Sequence, residues 1–166
     1  PADNRSFDAV VDGLVNVLSA VDRLHHIADA FNNLERRPTK EPVSIARLIY
    51  EITTLLNYKI ARLGAKVTVS GDAEVALVTD ASLIEHVVIN VLANALDAIE
   101  GVSERARGVP ELRIVCRSSE QRIEIDILNT GPPIELTRPE RIFEKGFTTK
   151  RRGIGHGLGL YLCRVV

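Results

Sequence analysis

The stretch His86 to Ala98 reads HVVINVLANALDA, and its period decides what kind of domain surrounds it. At about 100° per residue, His86, Asn90, Asn94 and Asp97 fall within an arc of roughly 80°, while Val88, Val91, Leu92, Ala95 and Ile99 take the other side. A helix this amphipathic needs a sheet or further helices to cover its apolar stripe. Asparagine is a poor helix former because its amide competes with the backbone, so two Asn one turn apart in an apolar helix imply a use for those amides. Their carboxamide oxygens can ligate magnesium beside phosphate oxygens. A polar stripe that merely faces solvent is the equal alternative at this point.

Working outward, Asp80 or Ser82 caps this helix, with Ser82 and Glu85 in capping-box spacing, and Gly101 stops it. Upstream, Ile45 to Leu63 reads as one helix ended by Gly64, Lys66 to Ser70 alternates as a strand, and Val75 to Val78 is a short apolar strand. Downstream, Leu112 to Arg117 and Arg122 to Leu128 alternate around Ser118, Ser119, Glu120 and Gln121, which predicts a hairpin. Asn129 to Arg152 is mostly loop, and Gly155 to Gly159 opens a final helix carrying Leu160, Leu162 and Val165. Strands and helices in this order predict an α+β domain.

A separate signal precedes it. Leu14, Val17, Val21, Leu24, Ala28 and Phe31 recur three and four apart within Phe7 to Arg36, a heptad seam. A helix of about 30 residues is roughly 45 Å long, more than a small domain needs, so pairing with other helices is expected, and a homodimer through this helix is the natural form. The organisation read from these patterns is a helical dimerisation segment over 1–37, a charged, proline-bracketed linker over 38–42, and a second domain over 43–166.

Composition narrows the function classes. The chain has 166 residues, 45% hydrophobic and 26% charged, a globular composition. Lys plus Arg is 21 against 22 for Asp plus Glu, which excludes a generally basic nucleic-acid binder. Between Leu136 and Val166, however, seven basic residues face two acidic ones, so an anion is expected near that end. Cys116 and Cys163 lie in apolar stretches without metal-ligand spacing, which predicts buried, reduced thiols in the cytoplasm. No uninterrupted apolar run approaches the roughly 18 residues of a membrane span, although the chain can be the cytoplasmic part of a membrane-anchored sensor.

Two further elements carry chemistry. In Gly155-His156-Gly157-Leu158-Gly159, glycines permit close backbone approach, and the stretch follows Thr148, Thr149, Lys150, Arg151 and Arg152, which favours phosphate over a mere flexible connector. Ile127 to Ile134, reading ILNTGPPI, ends a strand in a polar residue and a tight turn. A side chain held there can read the edge of a base, or the turn can be an ordinary strand exit.

Taken together, these stretches resemble a known family. His86 to Ala98 resembles the N box of the GHKL ATPases, in the form found in sensor histidine kinases. Leu128 to Ile134 resembles their first glycine box, Arg141 to Lys150 (RIFEKGFTTK) the F box, and Gly155 to Leu160 (GHGLGL) the second glycine box. Glu41 to Ile45 is similar to the usual entry into that domain, and the heptad helix to the second helix of a dimerisation and phosphotransfer domain.

The resemblance implies an α/β sandwich, a mixed sheet layered on helices, binding ATP and magnesium between the N-box helix and a lid over about 135–154. It implies that Asn94 ligates magnesium, with Asn90 supporting the metal or the phosphates. Asn129 meets the adenine amino group and Gly131 gives backbone access to the ring. Gly155, Gly157, Leu158 and Gly159 face the phosphates, Thr148 and Thr149 can donate hydroxyl hydrogen bonds there, and Lys150 is a candidate phosphate cation. The implied activity is that of the ATP-binding portion of a two-component sensor histidine kinase, with a response-regulator receiver domain as partner. A nucleotide-sensing GHKL module without phosphotransfer is the alternative.

The chain departs from the family pattern at several points. The first glycine box usually has Asp where this chain has Asn129, and a glycine where it has Pro133. The sequence reaches Val166 before the closing strands that the family fold usually has. GHKL hydrolases usually carry Glu at the position of Asn90, and an amide cannot act as that base, which favours a kinase. None of His25, His26, His86 and His156 is followed by an acidic residue and a nearby Pro, so the acceptor histidine is expected outside the chain. Removing residues 1–36 is expected to convert a dimer into a monomer, since the apolar seam is then gone; sedimentation of both forms checks this.

Overall fold

The computed structural model describes residues 39–102, 108–120, 122–135, 137–149 and 157–165. The heptad helix, Lys150 and Gly155 lie outside the described residues. All described residues belong to one compact unit, Thr39–Val166.

Strand β1 (Glu41–Ser44) leads into helix α1 (Ile45–Leu55), whose N-cap is Ser44; the Ser44 hydroxyl accepts from the Arg47 N–H at 3.4 Å. Thus Glu41 and Pro42, read as linker, already lie in a strand: β1 pairs antiparallel with β3 (Ala76–Thr79), Glu41 opposite Thr79. The expected single helix Ile45 to Leu63 is two helices, α1 and α2 (Asn57–Leu63), broken at Leu56. The cause is local. Thr53 Oγ1 donates to the Ile49 carbonyl and Thr54 Oγ1 to the Tyr50 carbonyl, both at 2.8 Å, and such back-bonding competes with the helix ladder and bends it. Gly64, with φ 60°, closes α2.

The main sheet has three strands in the order β2 (Lys66–Gly71), β4 (Glu111–Ser118), β5 (Ile123–Asn129). The β2–β4 pair is parallel and β4–β5 is the expected antiparallel hairpin, so the sheet is mixed. Its inner face contributes Leu112, Ile114 and Cys116, all fully buried. Its outer face carries charge: Arg117 pairs with Asp126 and, at 3.5 Å, with Glu124.

Helix α3 (Ala81–Glu100) lies under this sheet. Val88, Leu92, Ala95, Leu96 and Ile99 are its buried residues, a stripe spaced four, three, one and three apart, and they join the α1 residues Ile45, Leu48, Ile49 and Ile52 in one core. Val91, expected in that stripe, is only partly buried, because it sits at the stripe's edge and Leu96 takes the opposite edge. By length and composition α3 is apolar enough to cross a membrane, a property that a count of uninterrupted apolar runs does not detect; here its apolar stripe faces the core. The N-cap of α3 is Asp80 rather than Ser82.

Past β5, the stretch read as loop contains a 3-10 turn at Pro139–Phe143 and then helix α4 (Gly159–Val165). Asn129 itself is not loop: it closes β5, paired with Leu112.

Asp80 Oδ1 accepts from the Ser82 N–H at 3.1 Å, the Ser82 hydroxyl at 2.8 Å and the Leu83 N–H at 3.4 Å. The Ser82 hydroxyl, helped by backbone N–H groups, holds the Asp80 carboxyl below the usual carboxylate range. A carboxyl whose folded pKa is depressed stabilises the fold at pH values above its unfolded pKa of about 3.9, and that contribution is lost as pH falls through the lower folded value. Asp80→Ala is expected to cost about 1 kcal/mol at neutral pH, the usual worth of an N-cap, and nothing comparable below about pH 3. Urea denaturation at both pH values measures this.

Candidate nucleotide site

The polar face of α3 is not a solvent face. His86, Asn90, Asn94 and Asp97 are all half-buried, and among the α3 residues only Glu85 and Glu100 are exposed. Asp97 is held in an ion pair with Lys59 of α2, and Lys59 also meets Glu100 at 3.1 Å. This end of the stripe therefore ties α2 to α3. It leaves Asn90 and Asn94 as the amides with a ligand to serve.

Helix α4 packs on α3 at Asn90. A Cβ added to Gly159 would lie 2.8 Å from Asn90 Oδ1, so glycine there lets the backbone meet the amide directly. The Cys163 thiol donates to the Val87 carbonyl at 3.8 Å and hydrogen-bonds with the Asn90 amide. Burial pushes the Cys163 thiol up to about 11, with the Asn90 contact acting weakly the other way, so this cysteine is a protonated packing group at neutral pH. It is half-buried, whereas Cys116, also raised by burial, is fully buried as expected for both.

Just before α4, Gly157 has φ 62°, and a Cβ there would fall 2.3 Å from the Gly146 carbonyl carbon and 2.4 Å from the Phe147 carbonyl oxygen. Gly146 N–H donates to the Gly157 carbonyl at 3.0 Å. No L side chain fits this approach, so the Phe147-Thr148-Thr149 segment and the Gly157-Leu158-Gly159 segment start from one junction. Thr148 and Thr149 are exposed and Leu158 is half-buried. Arg141 stacks its guanidinium over the Phe147 ring, 5.4 Å from the centroid.

The other glycine element meets α3 eight residues further on. A Cβ on Gly131 would lie 2.7 Å from both the carbonyl carbon and Cβ of Ala98. The Gly131 N–H donates to Asn129 Oδ1 at 2.8 Å, an Asx turn. Thr130 locks the same strand end, its N–H donating to the Glu111 carbonyl at 3.1 Å and its Oγ1 accepting from the Glu111 N–H at 3.0 Å. Ala98, Thr130 and Cys163 were not legible as site neighbours from their own residue types. The Asn-Thr-Gly spacing does carry the signature of an Asx turn, and could have shown that the Asn129 oxygen is already engaged.

Asn90 and Ala98 stand about 12 Å apart along the helix axis at 1.5 Å per residue. The two glycine elements therefore bracket the Asn face over about the length of a nucleoside with its phosphates. Among the described residues no cluster of three or more His, Cys, Asp or Glu side chains could hold a metal, so a cation here depends on amide and phosphate oxygens. Neutral, half-buried amides fit such a hard ion when phosphates supply the charge.

Residues 79–166 match the model of the family described as histidine kinase-, DNA gyrase B- and HSP90-like ATPase. The chain is 27% identical over 154 residues to "Sensor histidine kinase TmoS" of Ectopseudomonas mendocina, covering 91% of this chain and 16% of that protein. It is 33% identical over 137 residues to "Adaptive-response sensory kinase SasA" of Crocosphaera subtropica, covering 81% of this chain and 34% of that one. The chain thus spans about a third or less of the length of these two curated relatives. Among solved structures, the catalytic domain of histidine kinase ThkA superposes with a TM-score of 0.63 at 29% identity, covering 75% of this chain and 77% of that one. ThkA has also been solved in complex with the response regulator protein TrrA; that likeness, at 21% identity, covers 80% of this chain and 38% of that one, with a TM-score of 0.57.

Gly131→Ala is expected to lower stability by about 1–3 kcal/mol, because the clash falls on α3 backbone that cannot rotate away. A thermal or urea melt reads it directly.

Proposed function

The chain belongs to the histidine kinase-, DNA gyrase B- and HSP90-like ATPase family, and from that premise we propose that it is the ATP-binding catalytic portion of a two-component sensor histidine kinase, passing the γ-phosphate of ATP to a histidine outside these 166 residues. The observation that carries this reading is the bracketing of the Asn face: Gly159 against Asn90 at one end, Gly131 against Ala98 at the other. The base then lies by Asn129 and Gly131. The phosphates run along α3 toward Gly157, Leu158 and Gly159, with Lys150, Gly155, Thr148 and Thr149 as further phosphate partners.

Phosphoryl transfer needs positioning and charge neutralisation more than covalent chemistry from the protein. Asn94, with Asn90 beside it, holds magnesium, which neutralises phosphate charge when bound. Asn90 carries no proton-accepting carboxylate, so it orients the phosphates without activating water. That is the division of labour a kinase needs, since its nucleophile is a histidine brought from elsewhere. The proposed partners are a second copy of the chain, paired through the helix of residues 7–36, and a response-regulator receiver domain like the one ThkA binds. The proposed compartment is the cytoplasm, where ATP is supplied.

A chain extended upstream to include a helix with His, an acidic residue and Pro is expected to autophosphorylate with ATP and magnesium. Binding of ATP with no transfer in that longer protein would instead support a nucleotide-sensing module. For the site itself, Asn94→Ala is expected to weaken ATP binding in magnesium by roughly tenfold and leave magnesium-free binding nearly unchanged. Calorimetric titration with and without the metal separates the two, and equal losses in both would make Asn94 a structural residue.

A further inference from the structure

A carboxamide has one acceptor arm and one donor arm, and what usually leaves their assignment open is that either can face a given neighbour. At Asn129 the neighbour decides. The Gly131 N–H, 2.8 Å from the side chain, is a donor and can only be met by the oxygen. The strand end cannot swing to undo this: Asn129 is paired with Leu112, Thr130 is bonded to Glu111 through both its N–H and its hydroxyl, and Gly131 is wedged against Ala98. With Oδ1 turned back into the Asx turn, the arm left to face outward from the exposed Asn129 side chain is the NH2.

We infer that Asn129 presents a hydrogen-bond donor to the 6-position of the purine, so that this site accepts a 6-oxopurine nucleotide at least as well as ATP. This rests on the nucleotide site proposed above. An adenine amino group is itself a donor and meets the NH2 arm donor to donor; a hypoxanthine or guanine carbonyl oxygen accepts from it. An aspartate at the same place has two acceptor arms. One can serve the Gly131 N–H and the other an adenine amino group, and the second repels a carbonyl oxygen. Asparagine in the Asx turn therefore inverts the complementarity without changing shape, because Asn and Asp are isosteric.

Displacement calorimetry with ATP and with inosine triphosphate, in magnesium, on the unaltered chain and on Asn129→Asp, tests this. The two nucleotides also differ at N1, but that difference is common to both proteins and cancels when the ATP-to-ITP ratios are compared. The unaltered chain should bind ITP as tightly as ATP or more tightly, and Asn129→Asp should shift the ratio toward ATP by about tenfold, equivalent to about 1.4 kcal/mol. If the unaltered chain already prefers ATP by tenfold, or if the ratio does not move on substitution, Oδ1 is taking both donors through its two lone pairs and the inference is overturned. Should the Asp variant fail to fold by circular dichroism, the ratio in the unaltered chain decides alone. If neither nucleotide binds at millimolar concentration, the nucleotide site itself falls and the inference with it, an outcome distinct from binding with the opposite preference.

Discussion

Helix α3 is fixed by what it buries. Val88, Leu92, Ala95, Leu96 and Ile99 are sealed with Leu112 and Ile114 of the sheet and with Ile45, Ile49 and Ile52 of α1. At roughly 1.5–3 kcal/mol for each fully buried large aliphatic side chain, this stripe outweighs any single polar contact in the domain. Rotating α3 to bury its Asn residues would expose that stripe, so the core alone aims Asn90 and Asn94 at the ligand side. The polar face needs no contact of its own to hold its direction.

The second constraint is steric. Gly131 and Gly159 bring backbone into contact with α3, and Gly157 brings two segments into contact with each other. Any Cβ at Gly131 or Gly157 would lie against backbone atoms within 3 Å, distances that real Cβ atoms do not adopt. The glycines thus set how near the phosphate and base elements stand to the helix. The ion pairs of Lys59 and Arg62 with Asp97 and Glu100 do a separate task at the far end: they anchor α2, and by engaging Asp97 they end the run of polar groups that a ligand meets.

A helix face built from neutral amides has consequences for charge. Carboxylates at these positions would bind a free cation or activate water; amides do neither well without phosphate oxygens present. The departure at Asn129 has the same character, replacing a charged acceptor with a group whose two arms differ in sign. Here local geometry, through the Gly131 N–H, selects which arm is displayed.

Much of this was legible from residue order. The period of His86 to Ala98 determined a two-faced helix and placed Asn90 and Asn94 on its polar side, because a helix repeats every 3.6 residues whatever surrounds it. Alternation determined the β4–β5 hairpin, and Gly64 the end of α2, since both are local rules. Other features depended on the tertiary structure. Leu56 breaks a helix that periodicity would continue, because Thr53 and Thr54 turn their hydroxyls onto carbonyls of the preceding turn. Asp80 rather than Ser82 caps α3, and Glu41 and Pro42 join a strand because β3 is there to pair with them. Ala98 and Cys163 become neighbours of the site through segments that start more than 30 residues away from each in sequence, and no local pattern marks such a contact. Periodicity shows which way a side chain points on its own element; which atom it meets is decided only when two elements pack.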